Sequence, residues 1–247
     1  TTIHVAISSK EPKEKPTSSF FPLTVDYRNR LYAHGVIPHS GSKRERPQEE
    51  DILIARIIDR AVRPLFPKGY VNDVQITLTA HSVDASGTGD PVVASILAAS
   101  YALRTSSQPW YLLQEPSVTP EVSTSSTGST SNTTNTSVDT NTNTNTNTLP
   151  NTSNISNATH GVIGCVRMGL IHGEFITNPT VQQLRESEMN LLVSGTRTRP
   201  MMIEFDGKEV AEETLKRALV AAQEALQPSI AYQYKLLGVD ITNTANN

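Results

Sequence analysis

The chain has 247 residues, room for one large domain or two small ones, and 21 Lys and Arg against 24 Asp and Glu leave a formal net charge of -3. That balance excludes a surface that is cationic all over, though not a local basic patch. The single Cys excludes a disulfide scaffold and a Cys-based zinc site, and without a run of about 18 apolar residues nothing is expected to span a membrane.

The chain opens on Thr-Thr-Ile, directly in a predicted strand over Thr2–Ile7, with no visible signal or transit peptide. We take it as a piece of a longer protein. Ser8–Ser19 is a charged loop with two Pro, and Phe20–Tyr27 a second strand, with Asn29 in the turn after it. Tyr32–Ser42 holds Gly35, Pro38 and Gly41 and reads as a loop. Pro47 then opens a helix whose first turns carry Glu49, Glu50 and Asp51, acids that suit the positive end of the helix dipole. It runs to about Val62 and stops before Pro64. Val74–Val83 is a strand. Asp90-Pro91 is an N-cap followed by Pro at the first helical position, and the helix continues through Tyr101.

From Ser117 to Thr159 the chain is almost all Ser, Thr and Asn. Its few apolar side chains cannot offset the entropy of ordering, so a disordered insertion is expected. Beyond it, Gly161–Ile171, Leu191–Ser194 and Met201–Phe205 read as strands. Leu215, Leu219, Ala222, Leu226 and Ile230 trace a last helix, which Pro228 is expected to end or kink. The mixture without strict alternation predicts an α+β or mixed α/β domain. Residues 1–116 and 160–240 then form the core, 117–159 the insertion and 241–247 the start of a linker.

The stretch from Lys43 to Arg63 carries the strongest chemical signal. Lys43, Arg44 and Arg46 make a basic loop. Arg56, Arg60 and Arg63 follow at spacings of four and three, which puts them on one face of the helix. Ile52, Leu53, Ile57 and Ile58 are assigned to the opposite, core face. A row of guanidinium groups suits successive phosphates, because each offers a planar fork of donors. The competing reading is that Glu49, Glu50, Asp51 and Asp59 pair with these arginines and nothing else binds.

Other constellations are weak. No Walker-type phosphate loop occurs, and the six His lack metal-ligand spacing, His34 and His39 included. Glu186 and Glu188 are a candidate carboxylate pair or a solvated helix end. Cys165 reads as a small core residue, and Trp110 and Tyr111 as packing or base-stacking rings.

The order of segments resembles a known family. Phe20–Tyr27, Gly35–Pro38 and the run Ile54–Pro67, with Arg-Ile-Ile-Asp-Arg and Arg-Pro-Leu-Phe-Pro inside it, are similar to the first core domain of the polynucleotide phosphorylases. So are Asn72–Gln75, Gly161–Gly164, Asn178–Thr180 and Val193–Thr196. The resemblance covers nearly all of the chain outside Ser117–Thr159. It implies an RNase PH-like fold in a phosphate-dependent 3′-to-5′ exoribonuclease. Such enzymes degrade single-stranded RNA to nucleoside diphosphates in a homotrimeric ring, with inorganic phosphate as co-substrate and Mg or Mn as metal.

The resemblance further implies that this core does not cut. Serines that hold phosphate at a helix start in the cutting core correspond to Asp90, Pro91 and Val92, and its two aspartates to Gln182 and Glu188. No catalytic or metal residue is therefore expected here. RNA contact is expected at Lys43, Arg44, Arg46, Arg56, Arg60, Arg63 and Arg167. The family's Phe-Phe-Arg-Arg loop reads His39–Arg46 here, without the aromatics. The alternative is a non-catalytic RNA-binding or scaffolding subunit of an exosome-type ring. Asn/Thr-rich inserts are commoner in eukaryotic proteins, where this family is organellar, so mitochondrion or plastid is the expected compartment, and cytoplasm otherwise.

Overall fold

The computed structural model describes residues 1–11, 21–37, 48–67, 69–84, 87–106, 108 and 161–238. Its first sheet contains β1 (Thr2–Lys10), β2 (Leu23–Asn29) and β3 (Asp73–Ser82), in the order β1-β3-β2. β1 runs antiparallel to β3 and β2 parallel to it. A parallel pair needs a crossover, and α1 (Glu49–Val62) lies in the chain between β2 and β3. α2 (Pro91–Thr105) follows β3. The second sheet is β5-β4-β6-β7, from β4 (Gly164–Ile171), β5 (Glu174–Thr177), β6 (Met189–Gly195) and β7 (Pro200–Gly207), all antiparallel. A short α3 (Val181–Glu186) precedes β6, and the long α4 (Glu212–Leu236) ends the described chain. All of these elements belong to one unit built from Thr1–Leu112 and His160–Asn247.

Two cores hold the layers together. Ile58, Ile76, Leu78, Ile96 and Leu103 meet Ile163, Cys165 and Leu192, so α1 and α2 are packed between the two sheets. On the far face of the second sheet, Met168, Leu191 and Val193 meet Ala218, Ala222, Leu226 and Ile230 of α4. Burial on both faces explains why β4 and β6 read as continuous apolar runs rather than alternating ones. Buried Gly164 lets β4 approach α4: a Cβ there would lie 2.8 Å from Ser229 Oγ and 3.1 Å from the Leu226 carbonyl oxygen.

The predicted elements are present, with corrections. Asn29 is the last residue of β2 rather than a turn residue. α4 continues through Pro228. Pro47 lies outside the described residues, and Gln48 is the N-cap of α1. The hairpin β4–β5 and α3 went unpredicted, although His172 (φ 50) and Gly173 (φ 81) form the two-residue turn with positive φ that such a hairpin needs.

The phase of α1 also differs. Ile52 and Leu53, expected in the core, are 52% and 56% exposed, while Asp51 is buried. The Asp51 carboxylate accepts hydrogen bonds from the backbone N–H of Gln48 (3.1 Å) and of Asn29 (3.3 Å). Those bonds turn position 51 inward, so the buried stripe runs through Asp51, Ile58, Ala61 and Val62. A polar residue that satisfies two backbone donors set the rotation that apolar counting missed.

Candidate nucleic-acid interface

A groove of about 530 Å3 runs between β2 and α1, lined by Thr24, Asp26, Asp51, Ile52, Arg56 and Arg60 among others. Its carboxylates are engaged by the protein. Asp51 caps α1, Asp59 pairs with Arg63 at 2.7 Å, and Asp26 pairs with Arg28 at 3.0 Å.

Arg56 is exposed and has no protein acceptor among the described residues. Arg60, one turn on, donates from Nη1 to Glu204 of β7 at 2.6 Å, with the two side chains 53% and 43% exposed. A pair so open to water contributes at most about 1 kcal/mol, which a phosphate can replace at small cost.

Arg63 belongs to a different category. Its Nε and Nη2 donate to the Asp59 carboxylate (2.9 and 2.7 Å), its Nη1 to the Phe21 carbonyl (2.8 Å) and its Nη2 also to that of Leu23 (3.2 Å). Its guanidinium carbon sits 5.8 Å from the centre of the Phe21 ring. Arg63 thus ties the end of α1 to the entry of β2 and does not line the groove.

Arg167, on β4, is also engaged. Nε donates to Asp90 Oδ2 at 2.5 Å and Nη1 to Asn190 Oδ1 at 2.7 Å, with only 16% of its side chain exposed. Asp90 itself caps α2 by accepting the Val92 N–H at 2.8 Å. The N-terminus of a helix is an anion seat; here the seat is filled by the chain's own carboxylate, and the nearest guanidinium is paired with it.

The predicted residues therefore divide. Arg56 and Arg60 come together on the groove; Arg63 and Arg167 are anchors within the fold. Lys43, Arg44 and Arg46 lie outside the described residues, as do His39, Trp110 and Tyr111. His34 shares a 2.8 Å hydrogen bond with the Asn29 side chain. Gln182, Glu186 and Glu188 are exposed, and among the described residues no three His, Cys, Asp or Glu side chains converge on a common point. Cys165 is buried, and burial with the nearby Asp90 charge pushes its thiol far up, so it is inert packing. The sequence reading missed Glu204, Asn190 and the role of Asp90 as a counter-ion. Only the N-cap pattern at Asp90 carried a local signal.

Tyr27 adds a titration. Its ring is buried, and among the described residues its hydroxyl has no hydrogen-bond partner. Burial first, then the Asp51 and Asp90 charges, pushes the phenol from 10.0 up to about 12. The folded state therefore keeps a proton that the unfolded chain has lost, so stability present below pH 10 falls as pH rises toward 12. Expected is an alkaline loss of about 2 kcal/mol across that window, absent in Tyr27→Phe. Urea unfolding at pH 8, 10 and 11.5 measures it, and equal slopes for the two proteins contradict it.

Residues 1–109 match the 3′ exoribonuclease family, domain 1, and residues 161–225 match its domain 2. The chain belongs to the 3′ exoribonuclease family. Within that RNase PH family it is 36% identical over 235 residues to the polyribonucleotide nucleotidyltransferase of Heliobacterium modesticaldum, covering 95% of this chain and 26% of that protein. For the enzyme of Shouchella clausii the identity is 36% over 238 residues, covering 96% and 26%; for that of Thermus thermophilus it is 35% over 231 residues, covering 93% and 25%. The chain thus spans about a quarter of the length of these curated relatives. The two matched stretches are the α1–α2 half and the half built on the second sheet, the halves that Asp90 and Arg167 join.

Proposed function

We propose that this chain is part of a phosphate-dependent 3′-to-5′ exoribonuclease that degrades single-stranded RNA to nucleoside diphosphates, and that this core guides RNA and builds a trimeric ring rather than cutting. The observation that carries the reading is the Asp90–Arg167 pair. It occupies the one helix start where inorganic phosphate would be expected, with a carboxylate that repels it. Pro91 removes a further N–H from that end. The donor set does not suit a divalent ion either, since Gln182 offers a neutral amide and leaves Glu188 as the single carboxylate of the pair. Mg or Mn and inorganic phosphate accordingly act elsewhere in the enzyme. What this core supplies is exposed positive charge, at Arg56 and Arg60, beside a groove whose acids are already engaged.

The test is charge reversal. Arg56→Glu with Arg60→Glu in the intact protein should weaken single-stranded RNA binding. The plot of log affinity against log salt should become shallower by about 1.4, the change due when two phosphates no longer shed their counterions on binding. An unchanged slope removes the groove from RNA binding. The 247-residue chain alone should release no nucleoside diphosphate from RNA and phosphate; release would place the cutting step in this core after all.

A further inference from the structure

The outer face of the first sheet carries a second cluster. α1 and α2 cover the face that holds Val5, Tyr27, Ile76 and Leu78. The alternate side chains of each strand point the other way; His4, Ala6, Ser8 and Gln75 among them are exposed, and the turn Leu31–His34 packs against β3 at one end. There the register aligns His4 of β1 with Thr79 of β3, and Thr79 with Arg28 of β2. Two residues further along β3 is His81. Its ring meets His4 edge-on at 6.0 Å and 77°, and lies stacked with Tyr32 at 5.9 Å and 29°. The Tyr32 hydroxyl and His81 Nδ1 share a 2.7 Å hydrogen bond, which holds both rings in place. Tyr32 is 51% exposed, and His4 and His81 are exposed as well.

Arg28 flanks the rings. Its Nε donates to both Asp26 oxygens, at 3.0 and 3.2 Å, and its terminal amino groups have no protein acceptor among the described residues. The rest of the face holds Ala6, Ser8, Thr24, Gln75 and Thr77, with Lys10 opposite Asp73 at its far end. Fixed rings on a flat sheet beside a guanidinium suit the two parts of a single strand: bases stack on rings, and phosphates take the amino donors. The face is also continuous with the groove. Asp26 lines the groove and Arg28 lies two residues along β2, about 7 Å away.

We infer that this open sheet face is a second contact for single-stranded RNA, with one or two bases stacked on Tyr32, His81 and His4 and the neighbouring phosphate on the Arg28 amino groups. The inference rests on the reading of the chain as an RNA-guiding core and adds a base-reading step to the phosphate contacts of the groove.

The test compares two probes of equal length by fluorescence anisotropy with the intact protein: an oligouridylate and an abasic ribose-phosphate oligomer. The unaltered protein should prefer the oligouridylate. His4→Ala with Tyr32→Ala should lower its affinity about five-fold or more and leave the abasic oligomer unaffected. Tyr32→Trp, which keeps a stacking surface, should hold the preference. Arg56→Glu with Arg60→Glu should weaken both probes alike and also keep the preference. Ring variants that bind both probes as the unaltered protein does, or a Trp variant as weak as the Ala one, overturn the platform and leave the groove standing. An unaltered protein that binds neither probe overturns the RNA-guiding reading itself.

Discussion

Asp90→Ala is expected to lower the unfolding free energy by about 3 kcal/mol, the range for breaking a partly buried ion pair from one side. Two effects combine at this position. α2 loses the carboxylate that accepts the Val92 N–H, a cap worth about 1 kcal/mol. Arg167, only 16% exposed, keeps its charge and retains Asn190 but is left without a counter-ion. Asp90→Asn keeps a capping oxygen without the charge, so it should fall between the two. In a double-mutant cycle, Asp90→Ala and Arg167→Ala together should destabilise less than the sum of the single effects, by about 1–3 kcal/mol. Urea unfolding with an unchanged m-value measures this. Additive effects would mean that the pair is not the joint between the two halves of the core.

Arg63→Ala separates an anchor from an RNA ligand. It removes bonds to both Asp59 oxygens and to the Phe21 and Leu23 carbonyls, at a site where the Arg63 and Asp59 side chains are 26% and 25% exposed. The expected cost is about 2–3 kcal/mol, because hydrogen bonds to a charged group are each worth about 1.5–3 kcal/mol before partial solvent exposure is discounted. Arg63→Lys should recover only part, since an ammonium has no planar fork to span a carboxylate and two carbonyls. The salt slope of RNA binding should stay as it is in folded Arg63→Ala protein. A shallower slope with little change in stability would return Arg63 to the phosphate row.

The contrast in partners between the arginines is invisible in one dimension. Arg56, Arg60 and Arg63 share a spacing that treats them as equals. Their fates diverge through contacts made by other parts of the chain. Arg60 meets Glu204, 144 residues away, and Arg167 meets Asp90, 77 residues away. The pair within α1's own reach, Asp59 with Arg63 at i,i+4, is visible in the spacing alone and is present in the fold. The same logic applies to Tyr32 and His81, whose stacking across 49 residues makes a platform that no window of sequence displays.

What the amino-acid order determined by itself is whatever depends on neighbours along the chain. Asp90-Pro91 starts α2, the apolar period traces α4, alternation marks β3, and the run from Ile54 to Pro67 marks the family. Caps and periods act within a turn or two of backbone, so they survive without a fold. Tertiary structure completed the phase of α1, where the Asn29 N–H reaches Asp51 from β2 and, with the local Gln48 N–H, turns it inward. It also decided which guanidinium groups remain open. A charge is used up only by the acceptor that packing brings to it, and packing joins residues by layer rather than by number.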